Sequence, residues 1–205
     1  GYPLCEVALD ELTVRPEEKN TTAALVRGVA ARFAQLGCKI EGFDAYVTST
    51  VLPGSGLSSS AAFEVLLGTI VNMLFNASAA TPVQIAQIGQ YAENVYFGKP
   101  CGLMDQTASS VGNIIAIDFA DPEKPQVERL DFDFESCGYC LCILDSGADH
   151  AELTQEYAAI PQEMKAVAAV FGKNYLREVD EAAFYDRIAE AREKCGDRAV
   201  LRAIH

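Results

Sequence analysis

The sequence predicts a chain that contains both helices and strands, and three observations support this. A strand-like run at residues 43–51 leads into a glycine-serine loop and then an apolar helix. The stretch 45–92 carries a single charged residue, Glu64. Further along, residues 151–171 and 181–191 are amphipathic and carry ordinary surface charge. This periodicity predicts alternating strands and helices but does not fix the order of the strands.

The first part of the chain predicts an edge strand followed by a helix. Residues 4–12 alternate loosely between apolar and polar side chains. Three residues that favour helix N-caps follow: Asn20, Thr21 and Thr22. An apolar periodic run then continues to Gly37, which we expect to end the helix.

The central feature of the sequence is the glycine-serine loop that follows the strand at 43–51. Gly54 and Gly56 permit backbone angles and close approaches that a side chain would block. Ser58, Ser59 and Ser60 then lead into an apolar run that favours a helix ending at about residue 75. The sequence therefore predicts strand, loop and helix start in direct succession.

This arrangement predicts an anion-binding site. The first turn of a helix has backbone N–H groups without intrahelical partners, and the helix dipole adds partial positive charge there. Serine hydroxyls would add donors or a magnesium ligand. An ordinary turn with an N-cap is an equally open interpretation on composition alone. The loop is not a Walker loop or a nucleophile elbow, and Ser59 replaces the third glycine of a dinucleotide fingerprint.

The middle of the chain predicts further helices and strands. Thr81 and Pro82 are the cap and the first residue of a second helix. Residues 113–119 and 127–134 have strand composition and are joined by an acidic turn. Residues 139–144 predict another strand, with Cys137, Cys140 and Cys142 as buried thiols in preference to metal ligands. A change in composition near residue 137 divides the chain into predicted domains 1–137 and 138–205.

Composition bounds the class of protein. A formal charge of −13 over 205 residues argues against a nucleic-acid surface or an anionic membrane as partner. We find neither a signal peptide nor an apolar segment long enough to span a bilayer. Seven cysteines, an odd number, favour reduced thiols. We therefore expect a soluble, cytoplasmic protein, and the sequence does not determine its oligomeric state.

Two carboxylates follow the loop and form a second candidate site. Glu93 lies near the end of an otherwise uncharged helix, and Asp105 follows a turn rich in glycine and proline. Carboxylates that converge beside a phosphate-binding loop would suit magnesium binding and activation of a hydroxyl. The alternative is that Glu93 is a solvated helix end and Asp105 an N-cap.

Two motifs at these positions resemble a known family. Residues 53–62, Pro-Gly-Ser-Gly-Leu-Ser-Ser-Ser-Ala-Ala, resemble the GHMP kinase loop that wraps the ATP phosphates, in the form typical of galactokinases. Residues 97–106, Phe-Gly-Lys-Pro-Cys-Gly-Leu-Met-Asp-Gln, are similar to the galactokinase segment that carries the catalytic aspartate. Residues 145–157 resemble the entry into that family's second domain.

The resemblance implies ATP and Mg²⁺ as cofactors, and it implies a role for each matched residue. Asp105 would be the catalytic carboxylate facing the anomeric hydroxyl of the sugar, with Gly102 and Tyr157 also binding the sugar. Ser60 and Glu93 would hold magnesium. The nucleotide phosphates would be wrapped by Gly54, Ser55, Gly56, Leu57 and Ser58, with Ser59 and Ser60 at the helix start.

The fold that the resemblance implies is α+β: a GHMP kinase N-terminal domain with a mixed sheet and helices packed on one side, followed by the beginning of an α+β C-terminal domain. The implied activity is ATP-dependent phosphorylation of galactose at its C1 hydroxyl. The family's Gly-Glu-His-Thr-Asp-Tyr segment, its nearby arginine and its third motif do not occur here. We therefore expect a fragment that is inactive by itself, whether excised or naturally truncated.

One departure leaves the substrate open. Where many galactokinases carry two arginines shortly after the tyrosine, this sequence has Ile160 and Pro161. Tyr157 could equally pack a helix against the sheet. The alternatives are a related kinase for another small alcohol, such as N-acetylgalactosamine, arabinose or mevalonate, and a galactokinase-like regulator without catalysis.

Overall fold

A computed structural model of the chain describes residues 4–51, 56–121, 123–144 and 154–205. The chain forms two compact units, Gly1–Asp149 and His150–His205, and each unit has an apolar core of its own. The domains 1–137 and 138–205 stay a prediction, since compactness alone does not assign them. None of the described helices is long and apolar enough to cross a membrane.

The first unit contains four α-helices and a small sheet among its described residues. In chain order these are a 3-10 turn (Pro16–Glu18), α1 (Thr22–Gln35), α2 (Ser59–Phe75), α3 (Pro82–Tyr91), a π-helical segment (Ala92–Phe97), α4 (Met104–Val111), β1 (Ile114–Asp118) and β2 (Gln126–Leu130). The second unit contains α5 (Thr154–Val170), a 3-10 turn (Leu176–Glu178), α6 (Glu181–Asp186), α7 (Ile188–Cys195) and α8 (Asp197–Ile204).

Side-chain caps fix where the first helices begin, as the sequence predicts. The Thr21 hydroxyl accepts a hydrogen bond from the Ala24 amide at 3.4 Å, which caps α1. Thr81 caps α3 in a reciprocal capping box with Gln84, and Pro82 occupies the first turn. Gly37 follows α1 with φ +73°, the left-handed conformation expected after a helix end. The predicted starts of both helices are confirmed.

The core of the first unit lies between α1, α2 and α3. Phe33, Val65 and Ile88 are buried at its centre, one from each helix. Glycine allows α1 to approach the π-helical segment closely, since a Cβ on Gly28 would lie 2.7 Å from the Ala92 Cβ. This contact holds the segment that carries Glu93 against the core.

The sheet consists of one antiparallel pair in the described part of the chain. β1 pairs with β2, with Ile114 opposite Leu130 and Ile117 opposite Val127. The strand predicted at 113–119 is therefore confirmed as β1, and the strand predicted at 127–134 is confirmed only as far as Leu130. The α+β class is confirmed as well.

Three predicted strands are not formed in the structure. Residues 4–12, 43–51 and 139–144 have no strand pairing. A strand requires a partner for its backbone groups, and strand-like composition does not supply one. Among the described residues, the mixed sheet that we predicted is thus reduced to the β1–β2 pair.

The expectation of buried cysteines near residue 140 is wrong. Cys137, Cys140 and Cys142 are all exposed. Because the 139–144 segment pairs with no strand, its alternate side chains have no sheet face to be buried against. Tyr139 and Leu141 in the same segment are exposed as well.

In the second unit, α5 lies within the helix predicted at 151–171, whereas the helix predicted at 181–191 is two helices. Asp180 caps α6, and the chain turns at Arg187 before α7 begins. The Arg187 side chain donates to the Val170 carbonyl at 3.1 Å and to Glu190. The amphipathic pattern of 181–191 therefore does not reveal the break at Arg187, whose side chain contacts Val170 and Glu190.

Candidate active site

The loop enters α2 through left-handed backbone. Gly56 has φ +75°, and Ser58 has φ +58° and ψ +52°. The first backbone bond of α2 runs from the Ala62 amide to the Ser58 carbonyl at 3.0 Å. The preceding helical amides, those of Ser59, Ser60 and Ala61, therefore lack an intrahelical acceptor. Gly54 and Ser55 of the predicted phosphate loop lie outside the described residues.

The Ser58 side chain joins the loop to Asp105 instead of capping its own helix. Its hydroxyl donates to Asp105 Oδ2 at 2.7 Å, across 47 residues of sequence. Asp105 is exposed in the first turn of α4, and the N-cap of that helix is Leu103. The alternative interpretation of Asp105 as a capping residue is therefore wrong.

Glu93 lies beside the same helix start. Its Oε1 accepts a hydrogen bond from the Ser60 hydroxyl at 2.9 Å. The residue is 2% exposed, so the interpretation of Glu93 as a solvated helix end is also wrong. It belongs to the π-helical segment, a distortion that often occurs at functional sites because it re-aims side chains.

Three residues near Glu93 were not among the predicted site residues. Lys99 Nζ lies 3.7 Å from Glu93 Oε1 and is half-exposed. Glu64 and Gln106 are fully buried behind Glu93. Sequence offered a signal for two of them, since Glu64 is the sole charge in 45–92 and Gln106 closes the aspartate motif. Nothing in the pattern indicated that Lys99 would turn toward Glu93.

The interior of the site is poorly solvated. Burial, reinforced by the nearby Glu93 charge, raises the pKa of the Glu64 carboxyl from 4.5 to about 8. Burial also raises the pKa of the Cys101 thiol, and Glu93 adds to that shift. Glu64 is therefore largely neutral near pH 7, and Cys101 is not a nucleophilic thiolate.

Asp105 also faces an open pocket of about 410 Å³. Its wall is formed by α4 and the first strand, β1, with Met104, Asn113 and Phe119 among the lining residues. This volume falls within the range of small-molecule sites. Asp105 thus lies between the serine-bearing helix start and a space that could admit a second ligand.

The structure does not bring all the predicted residues together. Gly102 is exposed in the turn before α4, with open space where a side chain would be. Leu57 is 45% exposed, and Ser59 is half-buried at the helix start. Tyr157 is 54% exposed and belongs to the second unit. Of the predicted sugar-binding residues, Gly102 and Asp105 belong to the first unit, and both are exposed.

Comparison with known proteins finds a family model that matches part of the first unit. Residues 24–113 match the model described as the GHMP kinases N terminal domain. That range includes the two serine-carboxylate pairs, Ser58 with Asp105 and Ser60 with Glu93. Residues 24–113 therefore resemble a GHMP kinase N-terminal domain. The α+β fold of the first unit is consistent with that domain.

Curated proteins that the chain resembles include galactokinases. It is 33% identical to the galactokinase of Streptomyces coelicolor over 97% of its own length and 50% of that relative. It is 34% identical to the galactokinase of Glaesserella parasuis serovar 5, over 93% of the chain and 48% of the relative. The predicted resemblance to galactokinases is confirmed, and the chain spans about half the length of the relatives it matches.

Among the described residues, no group of three or more His, Cys, Asp or Glu side chains is arranged to hold a metal ion. Ser60 Oγ and Glu93 Oε1 nevertheless lie 2.9 Å apart and present oxygen ligands, the type that Mg²⁺ prefers. Mg²⁺ commonly takes one or two protein ligands and completes its shell with waters and phosphate oxygens. The pair fits such a site.

Proposed function

We propose that the protein transfers the γ-phosphate of ATP to the C1 hydroxyl of galactose and forms galactose 1-phosphate. The observation that carries this proposal is the 2.7 Å hydrogen bond between Ser58 and Asp105. It joins the helix start that suits a phosphate to the carboxylate that suits a general base. The galactokinase relatives support the choice of sugar.

The nucleotide phosphates would be bound by backbone amides at the start of α2. Three helical amides there have no intrahelical partner, and the helix dipole favours an anion at that end. We assign this role to the loop and helix start as a whole: Gly54, Ser55, Gly56, Leu57, Ser58, Ser59 and Ser60. Lys99 would supply a positive side chain, because its Nζ lies 3.7 Å from Glu93 Oε1.

Ser60 and Glu93 would hold the magnesium ion that accompanies ATP. When bound, that ion neutralises negative charge on the phosphates. The protein's own contribution is to keep both oxygens on one side of the helix start, in a setting where Glu93 is shielded from water.

Asp105 would act as the general base. Its carboxylate would orient the C1 hydroxyl and accept its proton as that oxygen attacks in line with the departing phosphate. The pocket of about 410 Å³ beside Asp105 gives room for the acceptor. Gly102 and Tyr157 would contact the sugar, the former through its backbone. Positioning and charge stabilisation suffice for phosphoryl transfer, so no covalent nucleophile is required.

The direct test replaces the base in the full-length protein. We expect Asp105→Asn to lower kcat by about 10²–10⁴-fold, the contribution typical of a general base. Nucleotide affinity should change little, because Asp105 is not assigned to the phosphates. Wild-type turnover by Asp105→Asn would assign the base to another residue. For the 205-residue chain alone we propose no turnover, and kinase-like ADP release in a coupled assay would contradict that.

A second acceptor remains a candidate because of the sequence after Tyr157. Ile160 and Pro161 occupy the positions where many galactokinases carry arginines, and both lie in α5. An arginine guanidinium presents several N–H donors in a fixed geometry. Without the two arginines, recognition of the sugar hydroxyls would be less strict. A panel of galactose, N-acetylgalactosamine, arabinose and mevalonate on the full-length protein separates these substrates by kcat/KM.

We also propose a cytoplasmic location. All seven cysteines are free in the structure, as expected for a reducing compartment.

A further inference from the structure

Three polar side chains from separate elements meet inside the first unit. Glu64 of α2 is 0% exposed, Gln106 of α4 is 1% exposed, and Glu93 of the π-helical segment is 2% exposed. Burying polar groups costs free energy for each group left without a hydrogen-bond partner. A fold that needed only a core would place apolar side chains here, so the cluster calls for a functional explanation.

The Gln106 amide bridges the two carboxyl groups. Its Nε2 donates to Glu93 Oε2 at 2.9 Å and to Glu64 Oε2 at 3.1 Å. An amide nitrogen has two hydrogens, and the two carboxyl oxygens are the closest acceptors, with Cys101 Sγ farther away at 3.5 Å. Because each neighbour presents an acceptor, the amide can satisfy both only with its nitrogen facing them. This fixes the orientation of the Gln106 side chain.

The two oxygens of Glu93 consequently have different surroundings. Oε2 is held from behind by Gln106. Oε1 faces the loop, where the Ser60 hydroxyl donates at 2.9 Å and Lys99 Nζ lies 3.7 Å away. One oxygen is therefore anchored in the core, and the other is directed to the side from which a cation would approach.

The backbone makes room for this arrangement at a single glycine of α3. A Cβ on Gly89 would lie 3.0 Å from the Glu64 Cβ, 3.1 Å from Glu64 Oε2 and 3.4 Å from the Gln106 Cγ. Any other residue at this position would press on the Glu64 carboxyl. The cluster is thus built into the packing of three helices.

The cluster is also incompletely satisfied. Of the buried side-chain atoms in the described residues, Glu64 Oε1 and Gln106 Oε1 have no hydrogen-bond partner. Two orphan oxygens indicate that the arrangement is maintained for the geometry it gives Glu93 and not for its own stability.

We infer that Gln106 and Glu64 are positioning residues for the divalent cation site: Gln106 holds Glu93 Oε2, and Glu64 holds Gln106, so that Glu93 Oε1 is presented beside Ser60. This inference rests on the proposed function, because it assigns Glu93 to the metal. Residues that orient a ligand in this way typically contribute about 10–100-fold to metal affinity.

The test measures Mn²⁺ binding by electron paramagnetic resonance on the 205-residue chain with saturating non-hydrolysable ATP analogue. Gln106→Met should weaken Mn²⁺ binding by about 10-fold or more. Glu64→Met should weaken it less, and Glu64→Gln should leave it near the wild-type value because an amide oxygen still accepts from Gln106. Affinity for the metal-free nucleotide should be unchanged in all three, which a purely structural defect would not produce.

Gln90→Met is the matched control. Gln90 is partly buried and donates to the Cys101 carbonyl at 3.3 Å, so it lies near the cluster and is not assigned to either carboxyl group. Mn²⁺ affinity should be unaffected by this substitution. If Gln106→Met binds Mn²⁺ as tightly as the wild type, the inference is overturned while the proposed function stands. If the wild-type chain binds no Mn²⁺ with nucleotide, the proposed function fails first.

A measurement on the wild-type chain covers the case in which Gln106→Met does not fold. Both Nε2 hydrogens of Gln106 are donated within a buried cluster, whereas Gln90 donates near the surface. By nuclear magnetic resonance, the Gln106 side-chain amide should exchange with solvent at least about tenfold more slowly than that of Gln90. Equal exchange rates would overturn the assignment.

Discussion

Ser58 shows how much depends on the direction of one side chain. At a helix N-cap a serine hydroxyl ordinarily accepts from its own helix. Here the left-handed backbone of Ser58 directs the hydroxyl away from α2, and it donates to Asp105. The helix amides that a cap would satisfy remain available for a ligand. One residue thus links the proposed phosphate site to the proposed base.

At the same scale, the buried Glu64 carboxyl should make stability depend on pH. Its pKa is about 8 in the folded chain against 4.5 ordinarily. Between these values the folded chain keeps a proton that the unfolded chain releases, so the free energy of unfolding falls as pH rises from 4.5 to about 8. Below 4.5 both states are protonated, and this contribution to the pH dependence vanishes.

Glu64→Gln should remove this dependence, because an amide does not titrate. Relative to wild type, the variant should gain stability from pH 5 to pH 8.5, by up to about 4 kcal/mol. Urea unfolding of the metal-free chain at both pH values measures the difference. Glu41→Gln is the control, since Glu41 is exposed and paired with Lys39. This variant should show the same change in unfolding free energy between the two pH values as the wild type. If the unfolding free energies of the wild type and Glu64→Gln change by the same amount between the two pH values, Glu64 is not neutral in the folded chain.

At the scale of elements, the sequence predicted those that local interactions define. The starts of α1 and α3 followed from Thr21 and Thr81, and the serine run placed the start of α2. The segments at 43–51 and 139–144 were wrongly predicted as strands, because pairing depends on partners far along the chain. For the same reason the break at Arg187 was missed, since it depends on contacts with Val170.

The candidate site was predictable only in part, for a related reason. The two motifs singled out Ser60, Glu93 and Asp105, and the structure pairs Ser60 with Glu93 and Ser58 with Asp105. The hydrogen bond from Gln106 to Glu64 joins α4 to α2 across 42 residues of sequence. A local sequence pattern does not predict a contact between residues so far apart. A lone charge in an apolar stretch was the available signal for Glu64.

The close approach of α1 to the π-helical segment should control the placement of Glu93. A Cβ on Gly28 would meet the backbone Cα of Ala92 at 2.8 Å, and neither backbone can yield easily. We expect Gly28→Ala to destabilise the chain by about 1–3 kcal/mol, the cost typical of overpacking. Thermal or urea unfolding measures this loss.

Gly42→Ala is the control for that substitution, since an added Cβ there meets nothing within 4 Å. It should change stability little. A Gly28→Ala chain that is as stable as the control and binds Mn²⁺ as tightly as the wild type would show that α1 does not constrain the segment. If the substitution is tolerated but Mn²⁺ binding weakens, the constraint acts on Glu93 and not on global stability.

At the scale of the whole molecule, the described residues form two units with separate cores, and the GHMP kinase match lies in the first. The paired serines and carboxylates all belong to that unit, and so do all the residues that we propose for nucleotide binding. The second unit carries Tyr157, assigned to the sugar by proposal. Nucleotide binding by the chain is therefore the property that the first unit alone should support.

The most direct test of the account is a titration of the 205-residue chain with ATP and Mg²⁺, followed by nuclear magnetic resonance of backbone amides. The largest shifts should fall on Ser59, Ser60 and Ala61, with smaller changes at Asp105. Saturable nucleotide binding that leaves those three amides unshifted, or an absence of binding at millimolar ATP, would contradict the claim that the start of α2 binds the triphosphate.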